Sequence, residues 1–160
     1  MSDLVGKIDV EVVAFDPQYA GDFARLNYHW IEEYFVIEEH DREMLDDPQH
    51  YIIEKGGQIF FALHGERVIG TAALINVGER VFELAKMAVA TEARGKGVGD
   101  KLIETCIEYS REVGKQTIFL LSNTKLKPAI NLYRKFGFVQ TVLDNTSPYE
   151  RVDIKMQLDL

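Results

Sequence analysis

Residues 94–99 read RGKGVG, between an apolar stretch at 81–89 (VFELAKMAV) and a helix-patterned stretch that begins at Val98. Strand, glycine-rich turn and helix, in that order, can bind phosphate on physical grounds. The first backbone N–H groups of a helix have no internal partner, and the helix dipole places partial positive charge there. Glycine lets the backbone approach anionic oxygens closely and take positive φ. Gly95, Gly97 and Gly99 alternate with Lys96 and Val98, and Arg94 and Lys96 bring two cations to the turn. These residues therefore read as a loop around the pyrophosphate of a nucleotide-containing cofactor. Spacing by itself leaves open a glycine-rich connection with solvated charges.

Two common phosphate loops do not fit. A dinucleotide fingerprint needs G-x-G-x-x-G early in a βαβ series, whereas Gly95, Gly97 and Gly99 give G-x-G-x-G after a run of strands. The G-x-x-x-x-G-K-[ST] loop is absent.

Outward from the loop, Val98, Leu102, Cys106, Tyr109 and Val113 recur on one helical face, and Gly114 stands where a C-terminal glycine belongs. Residues 116–121 read as a strand parallel to 81–89, because a helix-length crossover joins them. Upstream, residues 58–64 and 67–77 flank the turn Gly65-Glu66, and Gly78-Glu79-Arg80 leads into 81–89, so three strands form an antiparallel meander. Asp16-Pro17 opens a first helix over 17–34, and a short second helix fits 41–46. Pro48 opens a further turn that Gly56-Gly57 ends. Pro128 opens a last helix to about Phe136, ended by Gly137, before closing strands at 138–143 and 151–158. The expected architecture is α+β, one domain with a mixed, mainly antiparallel sheet flanked by helices.

Composition is consistent with one globular domain over residues 1–160. Apolar residues make up 46% and charged residues 28% of the chain. No apolar run approaches the roughly 20 residues that span a bilayer, and the N-terminal MSDLVGKIDV has no leader pattern. A single cysteine, Cys106, forms no intrachain disulfide, so a reducing cytoplasm is expected. Net charge of −8 argues against a nucleic-acid surface and is weakly compatible with a cationic substrate. His29, His40, His50 and His64 show no metal-ligand spacing, so no metal is expected. Cys106 lies on the apolar helix face and reads as core.

Residues 82–102 (FELAKMAVATEARGKGVGDKL) resemble motif A of the GCN5-related N-acetyltransferases, the GNAT superfamily. The core of that motif, [RQ]-x-x-G-x-[GA], is met by Arg94, Gly97 and Gly99. Residues 122–138 (SNTKLKPAINLYRKFGF) resemble motif B and end in its L-Y-x-x-x-G-F. The two segments also resemble GNAT domains fused to MarR-type regulators. This chain contains no such regulator, so no transcriptional role is drawn.

The resemblance implies acetyl-coenzyme A as acyl donor and a V-shaped opening between 81–89 and 116–121. It implies that the pantetheine arm pairs with backbone groups of Met87, Ala88 and Val89, an added strand in cofactor form. It implies phosphate contacts from Arg94, Gly95, Lys96, Gly97, Val98 and Gly99, and places Asn123 and Asn131 towards the cofactor, with turn or cap roles open for both. The implied activity is direct transfer of an acetyl group to a primary amine in a ternary complex. Tyr133 matches the family tyrosine near the coenzyme sulfur that can protonate the leaving thiolate; packing beside Leu132 and Phe136 is the alternative.

A lysine-like amine is neutral only about 0.04% of the time at pH 7, so a general base is useful. Glu83, among apolar residues of its strand, is the candidate, and an ion pair with Arg80 or Lys86 is its alternative. Glu38, Glu39 and His40 read as a solvated charge run, and the resemblance implies as the alternative that they help shape the acceptor site. Tyr149-Glu150-Arg151 reads as a turn or as the border of that site. The implied partner is a small-molecule or peptide amine. Nucleic acid and membrane are not expected, and a homodimer stays open. A non-catalytic acyl-CoA-binding module on the same fold is the competing function.

Overall fold

The structure, a computed structural model, describes residues 6–144, 147 and 149–160. The first five residues, included in the leader-free reading above, lie outside the described residues. A seven-stranded sheet runs in the order β1-β2-β3-β4-β5-β7-β6. Its strands are β1 (Glu11–Ala14), β2 (Gln58–His64), β3 (Arg67–Gly78), β4 (Val81–Val89), β5 (Thr117–Ser122), β6 (Val139–Thr141) and β7 (Ile154–Asp159). The helices are α1 (Ala20–Tyr34), α2 (Glu39–Asp46), α3 (Val98–Glu112) and α4 (Lys127–Lys135). β1 to β4 pair antiparallel, β4 and β5 pair parallel, and β7 closes antiparallel onto β5 and β6.

Strand alternation assigns the two faces. Phe60 and Phe82 meet Tyr109 of α3, with ring centroids 5.4 and 6.2 Å apart. Phe61, next to Phe60 in β2, points the other way and packs on Tyr19 at 5.2 Å, just ahead of α1. The sheet is thus sandwiched, and Phe23, Phe61, Phe82, Leu102 and Ile118 are among its fully buried side chains. On α3, Val98, Leu102, Ile103, Cys106 and Ile107 are buried, while Val113 is 48% exposed, so the apolar face stops short of it. Gly114 takes φ +86° after the helix.

The α+β architecture and the parallel crossover agree with the sequence reading, with local differences. β1 was not expected: its four residues, EVVA, are too short to show a period. The first helix is divided, because Asp16 caps a 3₁₀ turn at Pro17–Tyr19 before α1 starts. The expected 138–143 strand shrinks to Val139–Thr141.

Two irregularities shape the functional region. The β4–β5 ladder runs only from Val81↔Thr117 to Leu84↔Leu120, and the strands then part. Among the described residues, the β5 side of β4 is not paired within the sheet from Ala85 onward. Opposite, on the β3 side, the register slips between Thr71↔Ala88 and Ala73↔Ala85, so β4 carries one extra residue there. This bulge contains Lys86, which sits at φ +52°. A non-glycine residue in that region is uncommon and is held by its surroundings.

Candidate active site

Where β4 and β5 part, a cleft of about 550 Å³ opens, a size typical of ligand sites. Glu83, Met87, Ala88 and Val89 of β4 line it, with Tyr133 and Leu132 of α4 facing them and Trp30, Ile31 and Phe35 on the α1 side. At one end lie Arg94, Gly95, Gly97, Val98 and Gly99.

Gly97 is the N-cap of α3, at φ +85° and with no side-chain cap. The first-turn N–H groups therefore keep their donors for an anion. Gly95 is also left-handed, at φ +75°. Gly99 is needed for a different reason: a Cβ there would stand 2.9 Å from Leu132 Cδ2, so its bareness lets α4 approach α3. Arg94 forks onto Glu33 of α1 with two bonds of 3.1 Å, and its Nε donates to the Val89 carbonyl at 3.2 Å. The guanidinium thus ties loop, strand end and α1 together. Lys96 is exposed and outside the cleft lining; its carbonyl accepts from Ile8 N at 3.3 Å. That bond draws the N-terminal segment over the loop, and Lys7 joins the cleft wall beside Gly97. Lys7 was missed in the sequence because nothing local signals a contact spanning that distance along the chain.

The Tyr133 ring meets Phe138 edge-on at 6.0 Å. Among the described residues its hydroxyl has no hydrogen-bond partner, and burial pushes its pKa up to about 12, so it stays protonated at neutral pH. Glu83 also lacks a partner among the described residues. Burial raises its pKa, a shift that Lys86 and Lys155 oppose. The ion pair considered between Glu83 and Lys86 is not formed, because Lys86 turns to Asp41. Cys106 is fully enclosed, and burial pushes its thiol up to about 12, which suits core and not nucleophile.

Asn123 lines the cleft with its polar atoms committed to the loop. Its Nδ2 donates to the Arg151 carbonyl at 2.7 Å, and its Oδ1 accepts from Lys125 N at 2.9 Å. Asn131 departs from expectation. It is exposed and lines a separate shallow depression with Ile130 and Arg134. The reason is helical phase: Pro128, Ala129, Leu132 and Tyr133 take the cleft side of α4, leaving Asn131 outside.

The far end of the cleft holds a network whose parts the sequence reading left open, as a charge run and a turn or as the border of the acceptor site. Asp41 is fully buried on α2. It accepts from Lys86 Nζ at 2.6 Å and from Arg151 Nη2 and Nη1 at 2.6 and 2.9 Å. Lys86 Nζ also donates to Tyr149 Oη at 2.9 Å. Glu38 starts α2 through a reciprocal capping box with Asp41 and accepts from Arg151 at 3.2 Å. Burial would raise the Asp41 pKa, but the Arg151 hydrogen bonds and the Lys86 charge outweigh it and hold it at about 2. Lys86, Tyr149 and Arg151 all line the cleft. A lysine inside a nine-residue apolar strand is the signal that could have pointed here.

The acetyltransferase (GNAT) family model matches residues 24–138. The chain belongs to the GNAT acetyltransferase family. N-acetyltransferase 8B of Rattus norvegicus is 29% identical over 104 residues, covering 62% of this chain and 47% of that protein. The chain thus spans about half the length of the curated relatives it matches. A GNAT-family acetyltransferase from Staphylococcus aureus superposes with TM-score 0.84 at 19% identity, over 94% of this chain and 99% of the other. The yncA protein of Salmonella typhimurium, whose structure holds acetyl-CoA, superposes with TM-score 0.74 at 18% identity, over 95% and 94%. These two likenesses show the GNAT fold. Among the described residues no helix is long and apolar enough to cross a membrane.

Proposed function

We propose that this GNAT domain is an acetyl-CoA-dependent N-acetyltransferase that moves the acetyl group directly to a primary amine in a ternary complex. One observation carries the reading: the uncapped N-terminus of α3, behind two left-handed glycines, opens into the same cleft as the unpaired edge of β4. An anionic diphosphate fits the first and an amide-bearing arm fits the second.

Bound acetyl-CoA supplies an activated thioester. Met87, Ala88 and Val89 hold the arm through their backbone, and N–H groups of that edge stabilise charge that develops on the acyl oxygen. Glu83 takes the proton from the attacking amine, directly or through water; its raised pKa strengthens it as a base. Tyr133, protonated and without a competing partner among the described residues, donates its hydroxyl proton to the leaving sulfur.

The test is thiol release from acetyl-CoA across a panel of amines. Amine-dependent release is expected. Stabilisation of the fold by acetyl-CoA with no amine-dependent release would replace this reading with the non-catalytic acyl-CoA-binding one.

A further inference from the structure

We infer that the acceptor is an amine carrying a carboxylate near it, of the amino-acid class, with Lys86 and Arg151 receiving that carboxylate. The inference rests on the transferase reading and adds its acceptor.

The network at the far end of the cleft is layered by depth. Glu38, 26% exposed, pairs with Arg151 at 3.2 Å, and the second carboxylate that balances the network, Asp41, has a side chain 0% exposed; neither is part of the cleft wall. The two cations stand in front of Asp41: Lys86 and Arg151, 6% and 15% exposed, both line the cleft. Seen from inside the cleft, this end therefore presents positive groups and the Tyr149 hydroxyl, although the chain carries −8 overall. Asp41 has both oxygens occupied by Lys86, Arg151 and the Glu38 backbone N–H, which leaves it little capacity for an incoming ammonium. Lys86 donates to Asp41 and Tyr149, and an ammonium has three N–H groups, so among the described residues one donor is uncommitted.

Glu83 and Lys86 lie three positions apart on β4 and both line the cleft. An acceptor whose amine addresses Glu83 can set a neighbouring carboxylate against Lys86 and Arg151. A polyamine would meet two cations there and find Glu83 as its carboxylate. Asn123 keeps Arg151 in place, since it holds the Arg151 carbonyl at 2.7 Å.

The experiment pairs acceptors that differ by the carboxylate: L-phenylalanine with phenethylamine, and glycine with methylamine. L-phenylalaninamide separates the carboxylate from its effect on amine basicity. Acetyl-transfer kcat/KM and binding to the coenzyme A-saturated protein by calorimetry are both read. A charge-assisted pair predicts a preference of about tenfold to a hundredfold for the amino acid over its amine and its amide. Arg151→Gln, or Lys86→Met combined with Asp41→Asn to avoid a buried unpaired carboxylate, should erase most of it. Equal or better use of the uncharged-tail amines by the wild-type protein overturns the inference, whatever the variants do. Carboxylate-dependent binding without turnover would uphold the carboxylate site and defeat the transferase reading, so the two failures are distinguishable.

Discussion

Tyr133 and Gly97 act on different halves of the proposed reaction, and single substitutions should separate them. Tyr133→Phe removes a hydroxyl with no protein partner among the described residues, so folding should be nearly unaffected. If the hydroxyl delivers the leaving-group proton, kcat should fall about a hundredfold with little change in acetyl-CoA affinity; unchanged single-turnover rates would remove the role. Gly97→Ala places a Cβ at φ +85°, at a cost of about 1–2 kcal/mol. Its expected effect is weaker acetyl-CoA binding with the acceptor KM nearly unchanged. Glu83 has a sign to check. Its pKa is raised, so the carboxylate forms, and activity with it, only as pH climbs past the ordinary carboxylate range. The acidic limb of kcat/KM should therefore lie above that range and vanish in Glu83→Gln. Full activity and an unshifted limb in that variant would exclude Glu83 as base.

Elements come together through a few residues whose partners are remote in sequence. Asp41 fastens α2 to the β4 bulge through Lys86 and to the turn before β7 through Arg151. Asp41→Asn should cost about 3–5 kcal/mol, because it leaves buried cations short of a counter-charge. Calorimetric melting should register a drop of roughly 10 °C. The pH dependence has a definite sign. The folded-state pKa of Asp41 is depressed to about 2, so its stabilisation is complete above the unfolded-state value near 3.8 and is lost as pH falls from there towards 2. The variant should not show that loss.

Legibility in the sequence followed locality. The β2–β4 meander, the α3 face and the loop at Gly97 were readable because period and glycine placement are written within a few residues. The parallel pairing of β4 with β5 followed from the crossover. Asn131 misled because a motif position gives no helical phase, whereas the neighbours at Pro128 and Leu132 do. Lys86 was read only as an ion-pair alternative for Glu83, Arg151 only as a turn or the border of the acceptor site, and Lys7 not at all, because their meaning depends on contacts across the fold: burial against Asp41 for the first two, and the Ile8–Lys96 bond for the third.

At the scale of the whole molecule, overall charge is a poor guide to the site. The chain carries −8, yet Lys7, Arg94, Lys86 and Arg151 line the cleft. A surface that is acidic outside and basic within the cleft suits an anionic donor, and the exposed part of that attraction should weaken with salt. Lys7→Ala should reduce acetyl-CoA affinity severalfold at low ionic strength and less at high salt, measured by calorimetry; an equal reduction at both would assign Lys7 a packing role.

The central claim is that the α3 N-terminus and the split between β4 and β5 together form one coenzyme A site. Acetyl-CoA and acetyl-pantetheine share the thioester arm and differ by the nucleotide diphosphate. Titration of both into the wild-type protein tests the claim most directly. Saturable one-to-one binding of acetyl-CoA is predicted, more than tenfold tighter than acetyl-pantetheine, with most of that difference lost in Gly97→Ala. Equal affinity for the two compounds, or no binding of acetyl-CoA, would contradict it.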